Sequence, residues 1–401
     1  MNARRLTLAC LLALASAPAW STDTPAPLQV EWDARLRHEQ VDNDAFSRDA
    51  RADTLCLRLG LRAQFGGGWS GYLEGAGVAA ANEHYNSGAN GNTEYPAITD
   101  PHGTELNQAY VAWQGQAFGA TVGRQRLLFD NQRWVGNVGW RQHEQTHDAV
   151  ALQWQPAAAW TVRYAWLDRV HRVAGRDALA PLARERKLDT HLLNAAFHAG
   201  LQQWSGYAYV HEDRDLATAS SATYGVRWTG KPAADGFGWT LETARQFDYA
   251  NNPDHFVHGY WLVEPAWTQA GITGKLGWER LGGNGRHALQ TPLATLHAFD
   301  GWDDQFTVTP AGGLEDRYVA FNGVFGQHGT AARLGWTVVF HDFRADHGGR
   351  YGSEWDGSLG YAFTPALAGL LKAAHYHADG FGRHDTKLWL QLEWKGAQAL
   401  R

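Results

Sequence analysis

Residues 54–65 read TLCLRLGLRAQF. Leu55, Leu57, Leu59, Leu61, Ala63 and Phe65 fall on one parity, and Cys56, Arg58, Gly60, Arg62 and Gln64 on the other. A helix would scatter these leucines round its circumference, whereas a strand, whose side chains alternate with period two, lays them along one face. One face is then continuously apolar, and the other carries two guanidinium groups. The same period recurs at 28–39, where Glu31, Asp33, Arg35, Arg37 and Glu39 share the polar parity, and at 160–167, 223–229, 257–267, 272–279, 332–340, 353–363 and 387–394. No helical pattern separates these stretches.

Counting all such stretches gives about eighteen strands, or roughly 21 residues for each strand with its connection, which suits membrane strands of about 9 to 11 residues. The connections alternate in length. Those after odd-numbered strands are mostly long and polar (83–104, 127–145, 170–186, 280–313), and those after even-numbered strands are short (66–68, 115–117, 200–201, 364–366). An even count with this asymmetry predicts an all-β fold, a transmembrane antiparallel β-barrel with long extracellular loops, short periplasmic turns and both termini in the periplasm. Residues 387–394 read as the closing strand and 395–401 as a short periplasmic tail. Trp and Tyr recur near strand ends, Trp69, Trp154, Trp267, Trp389 and Trp394 among them, as in interfacial aromatic girdles. A soluble propeller or sandwich would also alternate, but no repeat of 40 to 50 residues is present to support one.

The first residues carry the marks of a secretory signal: Arg4 and Arg5, an apolar run over 6–15, then small residues that place cleavage after Ala19 or Ser21. Residues 1–21 are therefore read as signal and 22–401 as a single barrel domain in the cell outer membrane. Cys10 lies inside the apolar run, not at its end, which argues against lipid attachment. Its removal leaves Cys56 alone, so no internal disulfide can form. A net charge of -6 and a sequence pI near 6.3 argue against a nucleic-acid partner, since phosphate-binding proteins show a basic excess. A mean hydropathy of -0.43 is too polar for a helical membrane bundle, and no segment reaches the roughly 18 apolar residues a spanning helix needs. The 20 Trp, 14 Tyr and 16 Phe exceed what a disordered chain carries.

Two long segments, GRQRLLFDNQRWVGNVGWRQHEQTHDA at 123–149 and LQTPLATLHAFDGWDDQF at 289–306, resemble signature stretches of the bacterial alginate export family of outer-membrane proteins. ELNQAYVAW at 105–113 and GLEDRYV at 313–319 support the resemblance. It implies a monomeric barrel of about eighteen strands that passes an anionic uronate polysaccharide, or other anionic solutes, through an arginine-containing lumen. Partners implied are outer-membrane lipid, the transported solute and periplasmic export components. A general diffusion porin for small solutes is the alternative, because members of such a family can be expected where no alginate is secreted.

The first signature segment interleaves Arg124, Arg126, Arg133 and Arg141 with Asp130, Asn131 and Glu144, and Arg35, Arg58 and Arg62 lie on the lumen parity of neighbouring strands. Arg163, Arg227 and Arg333 extend that parity. If the loop between the fifth and sixth strands folds inward, this group is expected to set pore width and charge selectivity, because guanidinium stays charged and binds carboxylate in two-pronged fashion. The plainer reading is that these charges pair across the interior and hold its shape. Arg outnumbers Lys 29 to 6.

His143, Glu144 and His147 spell H-E-x-x-H, but zinc chemistry needs both histidines on one helical turn, and the glycines at 136 and 139 and the strand beginning near 148 leave no room for it. No catalytic residue, cofactor or metal is assigned, and an outer-membrane hydrolase is the least favoured reading. His297, Asp300, Asp303 and Asp304, near Trp302, lack calcium-loop spacing and are expected in a solvated outer loop or lid. His341, His375 and His377 are expected to face solvent or the girdle.

Overall fold

The computed structural model describes residues 28–232, 234–325 and 334–400. The signal segment, both cleavage positions, Cys10 and Arg333 lie outside them. The strands are β1 (Leu28–Asn43), β2 (Ala50–Gly66), β3 (Trp69–Ala80), β4 (Gly103–Gln114), β5 (Phe118–Gln125), β6 (Thr146–Trp154), β7 (Trp160–His171), β8 (Glu185–Ala199) and β9 (Gln202–Asp213). They continue as β10 (Ser221–Gly230), β11 (Gly236–Asp248), β12 (Val257–Gln269), β13 (Ile272–Leu281), β14 (Leu314–Phe325), β15 (Leu334–Arg344), β16 (Arg350–Ala362), β17 (Leu367–Ala378) and β18 (Asp385–Leu400). Each pairs antiparallel with its chain neighbours, and β1 also pairs with β18, so the eighteen-stranded sheet closes on itself and leaves no edge. Among the described residues no helix is long and apolar enough to cross a membrane.

The barrel is apolar outside and polar inside. On β2 the outward Leu55, Leu57, Leu59 and Leu61 are 40–53% exposed, while the inward Arg58 is 1% exposed. No water-facing sheet would leave four consecutive leucines uncovered; a lipid-facing one gains by it. Trp69, Trp154, Trp160, Trp204, Trp267 and Trp394 are exposed on the outer surface. Trp389 is not part of that girdle: it shares the parity of Lys387, points inward and is fully buried. The closing strand also runs further than its alternation suggests. β18 pairs with β1 from Asn43↔Asp385 to Leu28↔Leu400, so residues 395–400 are strand and not tail. The pattern fades there because backbone pairing with the start of β1 continues after the apolar band has ended.

The turn at 67–68 shows how the short connections are made. Gly66, Gly67 and Gly68 have φ of 80°, 58° and 85°, and a Cβ on Gly68 would lie 2.3 Å from the carbonyl oxygen of Gln114. On the opposite rim the 81–102 loop folds over the top of β1 and β2, where Tyr85 and Ile98 pack on Val41, Ala50 and Ala52. The 126–145 and 282–313 loops turn into the lumen. Their Leu127, Phe129, Trp134, Val135, Leu289, Leu293 and Phe306 pack with the inward Tyr207, Tyr209, Tyr260, Phe343 and Tyr376, so the main buried apolar cluster sits inside the barrel.

Candidate functional site: the constricted lumen

The 126–145 loop leaves β5, crosses the lumen and returns along β1 and β2 to β6. Each station of that path has a polar anchor. Arg126 pairs with Glu144 at the loop's other end and, at 2.8 Å, with Glu74 on β3. Asp130 accepts from Asn194 on β8 (2.7 Å) and Ser205 on β9 (3.0 Å), and Trp134 donates from Nε1 to Glu242 on β11 at 2.8 Å. Asn131 turns inward on its own loop, its side-chain oxygen taking the Arg133 amide at 3.4 Å. Arg133, 1% exposed, sits between Glu279 of β13 (2.7 Å) and Asp300 of the second loop (2.8 Å). Arg141 binds Glu39 of β1 at 3.2 Å and Asp304 of the second loop at 3.1 Å, with Asp100 at 3.8 Å.

The wall arginines hold the same loop by its carbonyls. Arg35 donates to Gly139 O (3.0 Å) and Arg141 O (3.2 Å), Arg37 to Trp140 O (2.6 Å), and Arg58 to Gln142 O (2.6 Å) and Asp33 (3.0 Å). Loop carbonyls shielded from bulk water need such donors, and a guanidinium can serve several at once. Arg62 stands apart near the periplasmic end, paired with Glu31 at 2.7 Å and resting on the Tyr72 ring. Arg124, at the end of β5, makes a two-pronged pair with Asp148 of β6, 2.8 and 3.3 Å. Of the residues singled out from sequence, Arg35, Arg58, Arg126, Asp130, Asn131, Arg133, Arg141 and Glu144 thus belong to or hold one inserted loop, while Arg62 and Arg124 pair elsewhere on the wall.

The 282–313 loop forms the second half of the constriction, joined to the first by the Val135↔Leu293 bridge and by Thr295, whose hydroxyl donates to Gln132 at 2.7 Å. Asp300, Asp303 and His297 are buried, which replaces the solvated outer loop expected from their polarity. Their partners come from distant strands: Asp303 N donates to Glu354 (2.8 Å), Trp302 N to Asp356 (3.2 Å), and Lys387 lies 3.8 Å from both Asp303 and Asp304. Gly301, φ 85°, permits this approach, since a Cβ there would lie 2.4 Å from the Glu354 carboxylate. His341 is also buried, between Asp316 (2.8 Å) and Asp356 (3.6 Å), and does not face solvent, whereas His375 and His377 are exposed.

Both loops meet on Lys372 of β17. Its ammonium lies 4.3 Å from the Trp140 ring, 3.8 Å from Trp302 and 5.4 Å from Trp389, and donates to His297 Nε2 at 2.7 Å. His297 Nδ1 therefore carries the proton and donates to Asp304 at 2.9 Å. Burial pushes the His297 imidazole down to about 3, against the pull of Asp304. Burial alone would raise Glu144, but Arg58 and Arg126 bring it down to about 2. Burial lifts Asp300 above the usual carboxylate range in spite of Arg133.

The H-E-x-x-H residues do not converge on one point. Glu144 is held by Arg126 and Arg58, and neither histidine joins it in a group of convergent ligands. Among the described residues such a group is formed by Glu279, Asp300 and Asp316, and the Arg133 guanidinium already sits against two of its three members.

Above the constriction, on the β7–β8 side, a half-open pocket of about 380 Å³ is lined by Arg169, Arg172, Arg184, Lys187, His143 and His171 with Glu105 and Glu185. None of these basic residues except His143 stood out in the sequence motifs, although six cations in 169–187 (Arg169, Arg172, Arg176, Arg184, Arg186, Lys187) were a visible signal.

The alginate export family profile matches residues 26–283, more than half of the chain. The chain belongs to the alginate export family. Its barrel also resembles solved porin structures. OccAB4 of Acinetobacter baumannii matches with a TM-score of 0.71 at 12% identity, over 92% of this chain and 98% of that one. OpdK of Pseudomonas aeruginosa gives 0.71 at 13% identity, over 92% and 99%, and its structure with vanillate gives 0.69 at 12%, over the same shares. At these identities the likeness is one of fold. No curated protein sequence matches the chain. The alginate export family member described here is thus an outer-membrane channel protein.

Proposed function

We propose that this channel passes carboxylate-bearing solutes, a uronate polysaccharide first among them, without catalysing a reaction. The observation that carries this reading is the uneven covering of charge in the lumen. The acidic groups Glu354, Asp356 and Asp385, with Asp303 of the 282–313 loop that covers them, are nearly inaccessible, while Arg163 of β7, hydrogen-bonded only to Gln153, and Arg172 and Arg184 near the mouth have no carboxylate within 4 Å among the described residues. Arg35, Arg58, Arg62, Arg124, Arg126, Arg133 and Arg141, with Asp130, Asn131 and Glu144, set the width of the constriction in this reading, and only the partly exposed arginines among them, Arg62, Arg124 and Arg126, contribute to its field. OpdK, solved with an aromatic carboxylate, is consistent with the solute class. A general diffusion porin for small solutes is the second reading.

Planar-bilayer recording separates the two. The expected result is an anion-selective reversal potential and block by low concentrations of an oligouronate but not by a neutral oligosaccharide of equal length. A cation-selective pore refutes the anion reading, and equal tolerance of both sugars favours the general porin. Residues 1–21 are proposed as a cleaved signal ahead of the single barrel domain, so N-terminal sequencing of protein from outer membranes is expected to begin at Trp20 or Thr22.

A further inference from the structure

Four carboxyl groups meet where the 282–313 loop docks on the wall: Asp303 of the loop, Glu354 and Asp356 of β16, and Asp385 at the extracellular start of β18, all of them buried. They form two pairs in hydrogen-bonding contact, Asp303 with Asp385 and Glu354 with Asp356. One oxygen of each group is satisfied by an N–H. Gln305 Nε2 serves both Asp303 Oδ1 (2.9 Å) and Asp385 Oδ2 (3.2 Å), while the Asp303 and Trp302 amides serve Glu354 Oε1 (2.8 Å) and Asp356 Oδ2 (3.2 Å). The second oxygen of each, Asp303 Oδ2, Asp385 Oδ1, Glu354 Oε2 and Asp356 Oδ1, is buried and has no N–H or hydroxyl donor among the described residues.

An ionised carboxylate accepts hydrogen bonds and cannot give one, so two in contact repel each other and leave their facing lone pairs unmatched. A proton placed between them turns one group into a donor and removes both costs. The neighbouring charges call for the same protons. Lys387 lies 3.8 Å from Asp303 and donates to its backbone carbonyl, and Lys372 of β17 is the ammonium beside Asp356 and Glu354. The other ionised neighbours are engaged: His341 of β15, 3.6 Å from Asp356, by Asp316 at 2.8 Å, and Asp304 of the loop by Arg141 at 3.1 Å and His297 at 2.9 Å. Asn43 of β1 and Tyr376 of β17 add polar groups without charge. Two ammonium groups therefore face four carboxyl groups, and one proton in each pair closes the balance. A divalent cation is not the partner these oxygens fit, because among the described residues the four groups do not converge as metal ligands do.

We propose that the 282–313 loop is a proton-latched plug, docked while one proton is held between Asp303 and Asp385 and a second between Glu354 and Asp356, and released when alkaline medium removes them. On release water reaches all four groups, two O–H bonds break, both protons pass to water, and four solvated carboxylates remain. The docked state thus binds two protons more than the undocked one, so docking weakens as pH rises, by about hundredfold per pH unit at its steepest. His297, kept neutral by burial in the docked loop, opposes docking only in acid, so the two effects occupy separate ranges. The latch lies at the outer end of the wall, directly after the 379–384 loop, and therefore answers to the external medium. It holds whichever solute passes.

The test compares the full-length wild type with Asp385→Asn, Glu354→Gln and the double variant. Each new amide donates to the facing carboxylate without a titratable proton and keeps the net charge of the protonated pair. Planar-bilayer conductance is recorded between about pH 6 and 10, below the midpoint of a lysine ammonium. Chymotrypsin digestion of the detergent-solubilised barrel over the alkaline part of that range reads release of the loop as cleavage after Phe299, Trp302 or Phe306. In the wild type conductance is expected to rise severalfold on the alkaline side of neutral, with cleavage in step, and to fall again on return to neutral pH. The open-to-closed ratio should change by about hundredfold per pH unit in the wild type, by about tenfold in either single variant, and hardly at all in the double variant. Heat-modifiable migration on gels reports whether each variant is folded.

Wild-type conductance that stays level across the alkaline range overturns the latch. So does a folded double variant that opens with the slope of the wild type, since the titrating groups then lie elsewhere. Opening without cleavage at residues 299–306 assigns the response to another segment and also overturns it. None of these results touches the anion-channel reading, which is decided by the reversal potential.

Discussion

On the β16–β18 side of the lumen Glu354, Asp356 and Asp385 meet Asp303 of the inserted 282–313 loop, none more than 4% exposed, with Lys372 and Lys387 among them. On the β7–β8 side Arg172, Arg184 and Lys187 line an open pocket without ion pairs among the described residues, beside Glu185, held by Arg169 and His171, and beside Glu105 and Asp215, which accept backbone amides. The chain as a whole is acidic, yet its acids are concentrated where a loop covers them and several of its cations where water reaches. A permeating ion responds to uncovered charge, because field in a wet lumen acts through what solvent does not screen and partners do not cancel. Net charge is therefore a poor guide to selectivity in a barrel with inserted loops.

The contrast can be broken hardest at Arg141. Replacing it with Ala leaves Glu39, Asp100 and Asp304 without their common cation, a loss of about 3–5 kcal/mol for a buried pair deprived of one partner. Both loops are expected to undock, with a severalfold rise in single-channel conductance, trypsin cleavage within 126–145 and a shift toward cations. Gly301→Ala attacks the acidic cover alone. It strains a left-handed residue and drives a methyl group into Glu354, at a cost of about 1–3 kcal/mol, and is expected to weaken anion preference with a smaller gain in conductance.

Acidification tests the same cover without mutation. The docked loop keeps His297 neutral down to about 3, and the undocked loop protonates near 6.5, so this contribution to docking is whole above pH 6.5 and is lost as pH falls toward 3. Glu144 acts lower: its ion pairs are intact above pH 4.5 and fade as pH falls toward 2. Current noise is expected to rise first between pH 6.5 and 4, and His297→Gln should abolish that first phase. The smallest effect is expected from Glu354→Gln, a neutralised carboxylate that solvent does not reach. Its reversal potential should equal that of the wild type, and a shift comparable to Arg172→Ala would end the distinction between the two walls.

Much of this architecture could be read from residues 54–65 outward, because lipid and water impose a two-residue alternation that survives in the sequence. Whether 126–145 turns inward stayed open in the sequence, because arginines interleaved with acids suit an inserted loop and an exposed one alike until their partners on β1, β3 and β13 are known. The 282–313 loop was misread because DGWDD is a hydrophilic string by composition, and what buries it, Glu354, Asp356 and Lys387, lies more than 50 residues away. Trp389 was assigned to the girdle by residue type, although its parity with Lys387 already placed it inside. The β7–β8 pocket leaves no mark in the sequence, because a run of cations looks like any solvated loop until the position of each carboxylate is known.

Lys372 has a consequence for how such a pore opens. Trp140 belongs to one inserted loop, Trp302 and His297 to the other, and all three rest on a single ammonium rooted in β17. The Trp140 ring also stacks on His297 at 4.5 Å, so withdrawal of either loop breaks a contact of the other. The two loops are expected to move together, and amplitude histograms of the wild-type current should show a single closed-to-open step, splitting into sublevels once Lys372 is shortened to alanine.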